Sequence, residues 1–238
     1  MILAIIKKNS LTFKFLKTYY KFFLNRRYCI QEIDSYNRAI LNLNFTDHIH
    51  PIKKNIFGYT SEMGFNINES KKDLLNKILI EILQNTNDTT EANSFINYDL
   101  IEKTLSRDLT KFKKKLSDLK LPKTGSHGDL HDGNIILDLK NKIKFIDWRN
   151  YRENNTILYD IFHRDVRNLC NIKKISWTEA ILSHEIDVNN FIKNSYNLSC
   201  IKLFYSLITI DLELTLNETH IIKLDKFKKL LDKMNSDY

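Results

Sequence analysis

The chain has 238 residues, enough to bury a sizeable core as one large domain or as two lobes around a cleft. Its 42% hydrophobic and 28% charged residues exclude an intrinsically disordered protein, and its three widely spaced cysteines exclude a disulfide framework and indicate a reducing compartment. Since no run of about eighteen apolar residues occurs, a transmembrane segment is not expected, and the chain is predicted to be globular and cytoplasmic.

The formal net charge of +8 is concentrated in residues 1–60, which hold ten Lys and Arg against three Asp and Glu. A positive field over this region would attract a polyphosphate or an acidic acceptor. It would also favour weak contact with an anionic membrane surface, and a solvated basic surface is the simpler alternative. The region has no recognisable nucleic-acid-binding motif, so no nucleic-acid partner is expected.

The first predicted element is a β-hairpin near the N-terminus. Its two strands are residues 3–6 and 11–16, which are separated by a turn of Asn and Ser. Lys14 lies in the second strand.

A helix with one apolar face is expected next. Its apolar residues recur at spacings of four and three: Cys29, Ile33, Tyr36, Ile40 and Leu43. Glu32 borders this stripe. Pro51 ends the helical region, and residues 52–67 should hold the remaining strands and the crossover to the rest of the chain.

The remainder of the chain is predicted to be mainly helical. Apolar residues at helical spacing predict helices over residues 73–83 and 100–119, and a polar loop is expected at residues 85–93. Two apolar stripes predict further helices near the C-terminus. They are Ile201, Phe204, Tyr205, Ile208 and Leu212, and then Ile221, Leu224, Phe227, Leu230, Leu231 and Met234.

The segment from His127 to Asn134 reads His-Gly-Asp-Leu-His-Asp-Gly-Asn. Gly128 and Gly133 permit positive φ and a close approach of a ligand to the backbone. The side chains of Asp129 and Asn134 can therefore converge on one point from a single loop. Taken singly, such residues are most often plain turn residues; their combination with the hairpin that follows favours a functional site.

A β-hairpin is predicted directly after this loop. Residues 135–139 and 142–146 form its arms, and the hairpin returns the chain so that Asp147 arrives beside Asn134. One carboxylate and one amide oxygen suit Mg²⁺ that keeps waters and takes its other ligands from substrate phosphates. Asp129 is then left to accept a proton from a hydroxyl.

The order and spacing of these residues resemble the catalytic loop of kinases. The wording His-Gly-Asp-Leu-His-x-Gly-Asn, with Ile-Asp-Trp downstream, resembles the aminoglycoside phosphotransferase and choline kinase family, most strongly over residues 124–165. The resemblance implies an α+β, protein-kinase-like two-lobed fold. Residues 1–67 would form a small β-containing nucleotide-binding lobe, and residues 68–238 a mainly helical catalytic and acceptor-binding lobe.

The resemblance also implies ATP as phosphate donor and Mg²⁺ as its metal ion. In kinases a strand lysine meets the nucleotide phosphates and is held by a helix glutamate. Lys14, with Lys17 as its rival, and Glu32 are the candidates for this pair. Asp160, in Tyr-Asp-Ile, is expected to support the catalytic loop structurally.

Three features depart from the family. No Gly-rich loop precedes Lys14, and too few residues precede it for the usual first strand. Arg149 stands where relatives often have another acid, and it would either weaken a metal site or contact a phosphate. These departures keep open a catalytically inactive, kinase-like protein that binds nucleotide or acts as a scaffold.

The acceptor is expected to be a small molecule with a hydroxyl, because His131 stands two residues after Asp129 where protein kinases usually carry Lys. The candidates are a sugar or saccharide intermediate, an amino alcohol, or an aminoglycoside-like molecule. Cationic acceptors are less favoured, because four arginines would repel them: Arg149, Arg152, Arg164 and Arg167. A protein or glycoconjugate kinase is the further alternative.

Overall fold

The computed structural model describes residues 26–43, 45–55, 58–61, 64–66, 71–183, 197–216 and 224–236. Within these residues the chain consists of α-helices and small antiparallel sheets, which confirms the predicted α+β class. The N-terminal hairpin with Lys14 and Lys17 lies outside the described residues. The division into lobes at residue 67 therefore stays a prediction.

In the described ranges, eight α-helices occur together with seven short strands, and the last strand ends at Phe145. The helices are α1 (Arg26–Asn42), α2 (Lys72–Gln84), α3 (Tyr98–Leu105), α4 (Thr110–Lys115), α5 (Ile157–Lys173), α6 (Trp177–Ser183), α7 (Leu198–Leu216) and α8 (Leu224–Ser236). The strands are β1 (Ile52–Asn55), β2 (Gly58–Ser61), β3 (Phe65–Asn66), β4 (Thr89–Glu91), β5 (Lys120–Pro122), β6 (Ile135–Leu137) and β7 (Ile143–Phe145).

The predicted hairpin after the loop is confirmed as β6 and β7, which pair antiparallel with Ile135 opposite Phe145. The Asp138 carboxylate shapes its turn, because it accepts hydrogen bonds from the backbone N–H groups of Lys140 and Lys142, each at 2.8 Å. Strand β3 adds to the other edge of β6, so the order in this sheet is β3-β6-β7. The strands expected in residues 52–67 are thus present, and the last of them joins the hairpin that carries the site.

The single helix predicted over residues 100–119 is wrong. The chain forms two helices there, because Ser106 adopts a left-handed conformation with φ of 50° and ends α3. The Asp108 carboxylate then accepts a hydrogen bond from the backbone N–H of Thr110 at 2.8 Å, at the start of α4. Apolar periodicity continues across the break and hides it from the sequence pattern.

Two smaller predictions also need correction. The polar loop predicted at residues 85–93 contains β4, which pairs antiparallel with β5. The apolar stripe predicted for α1 is buried at Tyr36 and Leu43, whereas Ile40 is 39% exposed and Ala39 is fully buried in its place. The predicted stripe is therefore confirmed at Tyr36 and Leu43 and wrong at Ile40.

Helix α7 lies at the centre of the helical region and packs against α3, α5 and α6. Its predicted apolar stripe is buried throughout, and α8 buries Phe227, Leu230, Leu231 and Met234 against the same core. Leu224 is 36% exposed, and Ile221 lies outside the described residues. Among the helices of the described ranges, none combines the length and apolar character needed to cross a membrane.

Helix α2 offers a matched test of this packing. Leu75 is fully buried, whereas its neighbour Leu74 is 40% exposed. We expect Leu75→Ala to lower the free energy of unfolding by about 2–5 kcal/mol, because it removes core contacts and leaves a cavity. Leu74→Ala is the control and should lower it by much less. Equal losses in urea unfolding of the two variants would contradict the assigned face of α2.

Candidate functional site

The loop between β5 and β6 is fastened at its base to the chain that follows Asp147. Ser126 and Arg152 exchange backbone hydrogen bonds of 2.8 and 3.0 Å. Gly128 has φ of +84°, and a Cβ at this position would collide with the carbonyl oxygen of Asn150. Glycine is therefore required here for both its conformation and its close backbone approach.

Asp160 holds the beginning of the loop from α5. Its carboxylate accepts hydrogen bonds from the backbone N–H groups of His127 at 2.7 Å and Gly128 at 2.8 Å. Burial raises the pKa of Asp160 to about 8, although these two N–H groups act in the opposite direction. The predicted structural role of Asp160 is confirmed by this geometry.

His127 ties the loop to the end of the hairpin. Its Nε2 lies 2.8 Å from the carbonyl oxygen of Ile146, and because a carbonyl only accepts, Nε2 carries the proton. The ring is buried against Trp148, with ring centroids 4.6 Å apart, and burial lowers the pKa of His127. His127 thus has a structural role, since it holds the loop to the end of the hairpin.

The loop and the hairpin meet at Asn134. The backbone N–H of Ile146 donates to the carbonyl oxygen of Asn134 at 3.0 Å, which brings Asp147 to the loop. The side-chain amide of Asn134 donates to the carbonyl oxygen of Asp129 at 2.8 Å. Its Oδ1 is therefore the atom of this side chain that is left to act as a ligand.

Asp147 forms an ion pair with a residue of its own turn. The Arg149 guanidinium donates from Nε at 2.6 Å and from Nη2 at 2.8 Å to the two carboxylate oxygens. Asp147 itself adopts a left-handed conformation with φ of 64°. Both oxygens of the predicted metal ligand are therefore engaged by a guanidinium.

Glu32 lies within electrostatic reach of this pair. Helix α1 packs against residues 148–150, and the Ser35 hydroxyl donates to the carbonyl oxygen of Arg149 at 3.4 Å. Burial raises the pKa of Glu32 to about 7, the charge of Asp147 raises it as well, and Arg149 lowers it. The structure thus brings Glu32 towards Asp147, while its predicted partners Lys14 and Lys17 lie outside the described residues.

Asp129 is 30% exposed and is flanked by two histidines. His163 Nε2 lies 3.2 Å from its Oδ1, and His131 Nε2 lies 3.9 Å from its Oδ2. Burial raises the pKa of Asp129, but the hydrogen bond from His163 and the nearby imidazoles outweigh it, so the pKa lies below its ordinary value.

Sequence reasoning missed His163. It lies three residues after Asp160 on α5, and residues at this spacing share one face of a helix. Once Asp160 was assigned to the loop, this spacing was the signal that His163 would face the loop as well.

The arginines expected to repel a cationic acceptor are mostly neutralised. Three of the four form ion pairs: Arg149 with Asp147 at 2.6 Å, Arg152 with Asp211 at 2.9 Å, and Arg164 with Asp132 at 3.1 Å. Since each pair cancels one positive charge, the electrostatic argument against choline-like or aminoglycoside-like acceptors loses most of its weight.

The donor set fits Mg²⁺ by its chemistry, because one carboxylate and one amide oxygen leave room for water and phosphate ligands. Asp147 would have to release Arg149 before it could bind the cation. Among the described residues, no group of three or more His, Cys, Asp and Glu side chains is arranged to hold a metal ion.

No protein-family model matches this chain, and no curated protein matches it. Among solved structures, the chain is similar to a crystal structure of LicA in complex with AMP. The sequences are 15% identical, the match covers 85% of this chain and 78% of LicA, and the TM-score is 0.43. A likeness this weak carries no argument about fold or function, so the assignment depends on the geometry of the site itself.

The anchoring role of Asp160 can be tested by substitution. Asp160→Ala leaves two buried N–H groups without an acceptor, and each such loss is expected to lower the free energy of unfolding by about 1–3 kcal/mol. Asp88→Ala, at an exposed side chain, is the control and should have little effect. A small loss for Asp160→Ala in urea unfolding followed by tryptophan fluorescence would contradict the anchor.

Proposed function

We propose that this chain is an ATP-dependent phosphotransferase that transfers phosphate to a hydroxyl of a small molecule. The observation that carries the proposal is the junction of loop and hairpin. There the Asn134 side chain donates to the backbone of Asp129, and the Asn134 carbonyl oxygen accepts the N–H of Ile146, next to Asp147. A base and two oxygen ligands therefore belong to one hydrogen-bonded unit.

The reaction assigns one task to each of these side chains. The acceptor oxygen would attack the terminal phosphorus of ATP while the bond to the bridging oxygen breaks and ADP leaves. Asp129 would accept the proton of the hydroxyl. Asn134 Oδ1 and the Asp147 carboxylate would hold Mg²⁺, which when bound neutralises charge on the phosphates.

A lysine–glutamate pair is proposed to position the nucleotide phosphates. Glu32 is the member of the pair that lies in the described residues, close to Asp147 and Arg149. Lys14, with Lys17 as its alternative, is the proposed phosphate lysine. Arg149 would also be available to phosphates after it leaves Asp147.

The proposed acceptors are a sugar or saccharide intermediate, an amino alcohol, or an aminoglycoside-like molecule. His131 lies beside Asp129, with 3.9 Å between its Nε2 and Oδ2, where a protein kinase usually has Lys. Because Arg152 and Arg164 are paired with Asp211 and Asp132, cationic acceptors belong in this set together with neutral and acidic ones.

One observation favours a second function, a catalytically inactive kinase-like protein that binds nucleotide or acts as a scaffold. The bidentate pair between Arg149 and Asp147 occupies the carboxylate that the metal ion needs. If the pair persists in the presence of nucleotide, Asp147 cannot hold Mg²⁺. Metal-dependent binding therefore separates the two functions.

The first test measures thermal stability with nucleotide. We expect MgATP to raise the melting temperature more than ATP with a chelator does, and Asp147→Asn to remove the difference. Arg149→Gln should enlarge it at low Mg²⁺, because a competing guanidinium is removed.

The control for this test is Arg107→Gln, which removes another Arg–Asp pair, with Asp232 at 2.7 Å, remote in sequence from the loop. It should leave the metal dependence unchanged. Equal stabilisation of the wild type with and without metal would contradict the assignment of Asn134 and Asp147.

The second test measures transfer of labelled phosphate from ATP to a panel of sugars, amino alcohols, aminoglycosides and a generic protein. We expect a small hydroxylated acceptor to be labelled. Asp129→Asn should lower the rate by about 10²–10⁴-fold, because it removes the general base, and should leave MgATP affinity within a few-fold. Labelling of the protein alone would favour a protein kinase, and binding of ATP without transfer would favour the inactive alternative.

A further inference from the structure

A line of hydrogen bonds runs from the helical core to Asp129. The indole N–H of Trp177 donates to the Tyr205 hydroxyl at 3.2 Å. This hydroxyl lies 3.0 Å from Nδ1 of His163. On the other side of the ring, Nε2 of His163 lies 3.2 Å from Oδ1 of Asp129. Three helices, α5, α6 and α7, each contribute one side chain to this line.

The chemistry of the groups fixes the direction of the two outer bonds. An ionised carboxylate only accepts, so Nε2 of His163 must carry the hydrogen that points to Asp129. An indole N–H only donates, so the Tyr205 oxygen accepts from Trp177. The remaining bond joins the Tyr205 hydroxyl to Nδ1 of His163, and in the proposed arrangement the hydroxyl donates and Nδ1 accepts. In this arrangement the single ring hydrogen of His163 is on Nε2.

Packing holds the imidazole in this orientation. The His163 side chain is 12% exposed, and its ring stacks on Tyr159 with centroids 5.6 Å apart and an interplanar angle of 20°. Tyr205 is fully buried and packs against Phe162 at 4.7 Å. A ring confined on its face and hydrogen-bonded at both nitrogens has one favourable orientation.

We infer that His163 is a positioning residue for Asp129, which it reaches through Nε2–H. This inference rests on the proposed phosphotransferase function. His163 fixes Oδ1, so Oδ2 becomes the oxygen that meets the acceptor hydroxyl. His131 Nε2 lies 3.9 Å from Oδ2, which is too long for a hydrogen bond.

Trp177 and Tyr205 act on the base through His163. They select the tautomer that donates to Asp129, since the Tyr205 hydroxyl blocks a hydrogen on Nδ1. The line cannot carry away the proton that Asp129 accepts, because Nε2 already bears one. Its role is therefore orientation of the carboxylate and not proton transfer.

The tautomer can be measured directly by NMR of the full chain labelled with ¹⁵N at histidine. The wild type should show His163 with a protonated Nε2 and a bare Nδ1. Tyr205→Phe should increase the population with the hydrogen on Nδ1, because the donor to that nitrogen is lost. A wild-type ring with its hydrogen on Nδ1, or no change in Tyr205→Phe, would overturn the inference.

The kinetic test measures the rate of ADP formation from MgATP. The reaction contains the acceptor that the panel identifies. His163→Leu should lower kcat by about 10²-fold, the scale expected for a misplaced catalytic group, and leave KM for ATP within a few-fold. His163→Gln should restore part of kcat, because its amide N–H can reach Asp129. Tyr98→Phe is the control, since it removes a hydroxyl that bonds to Asn93 at 2.6 Å in another part of the core.

The outcomes distinguish failure of the proposed phosphotransferase function from failure of the positioning role of His163. A wild type without any ATP turnover would overturn the proposed function and the kinetic role of His163 with it, while the NMR result would still decide whether His163 holds Asp129. If the wild type is active and the His163→Leu variant is folded by its NMR spectrum, an unchanged kcat in that variant would overturn this inference alone. A lower kcat in His163→Leu, with a smaller decrease in Tyr205→Phe, supports the positioning role of His163.

Discussion

The buried carboxylate of Asp160 is the group on which the geometry of the site depends. Two consecutive backbone N–H groups at the start of the loop donate to it, and such groups need an acceptor when they leave water. Helix α5 supplies that acceptor in its first turn, where the Thr156 hydroxyl accepts the N–H of Leu158 at 3.3 Å. The beginning of the loop therefore takes its position from a rigid helix and not from its own conformational preferences.

The same helix also reaches the side chain of the proposed base. Asp160 and His163 lie on one face of α5, so the helix holds the loop backbone with the first and the Asp129 carboxylate with the second. A displacement of α5 would shift both together. This shared support would hold the Asp129 carboxylate in place relative to the loop backbone, as the proposed proton transfer requires.

The local parts of this arrangement could be predicted from the sequence. The hairpin after the loop follows from alternating apolar residues around a polar turn, and its return path brings Asp147 to the loop for purely geometrical reasons. Asp160 was predicted from the sequence motif Tyr-Asp-Ile. In each case the residues that determine the outcome are close in sequence or belong to one recognisable pattern.

The parts that were missed depend on contacts that no local pattern contains. The hydrogen bond from His163 to Asp129 spans 34 residues and that to Tyr205 spans 42, so neither leaves a trace in sequence periodicity. The break at Ser106 was hidden because apolar residues continue on both sides of it. The pair of Arg149 with Asp147 is local, but a sequence cannot show whether an arginine two residues away turns towards a carboxylate or towards a phosphate.

The charges around Asp147 explain why it pairs with Arg149. Glu32 lies within electrostatic reach of Asp147: burial raises the pKa of Glu32 to about 7, and the charge of Asp147 raises it as well, because two partly buried carboxylates repel one another. The Arg149 guanidinium offsets that repulsion by binding Asp147 with two hydrogen bonds. A divalent cation satisfies the same carboxylate with more charge, so guanidinium and cation are alternative partners of Asp147. Under the proposed function, the effect of Arg149 would depend on the state of the site. Arg149 would offset the repulsion between carboxylates in the protein without nucleotide, and it would compete with the cation when nucleotide binds.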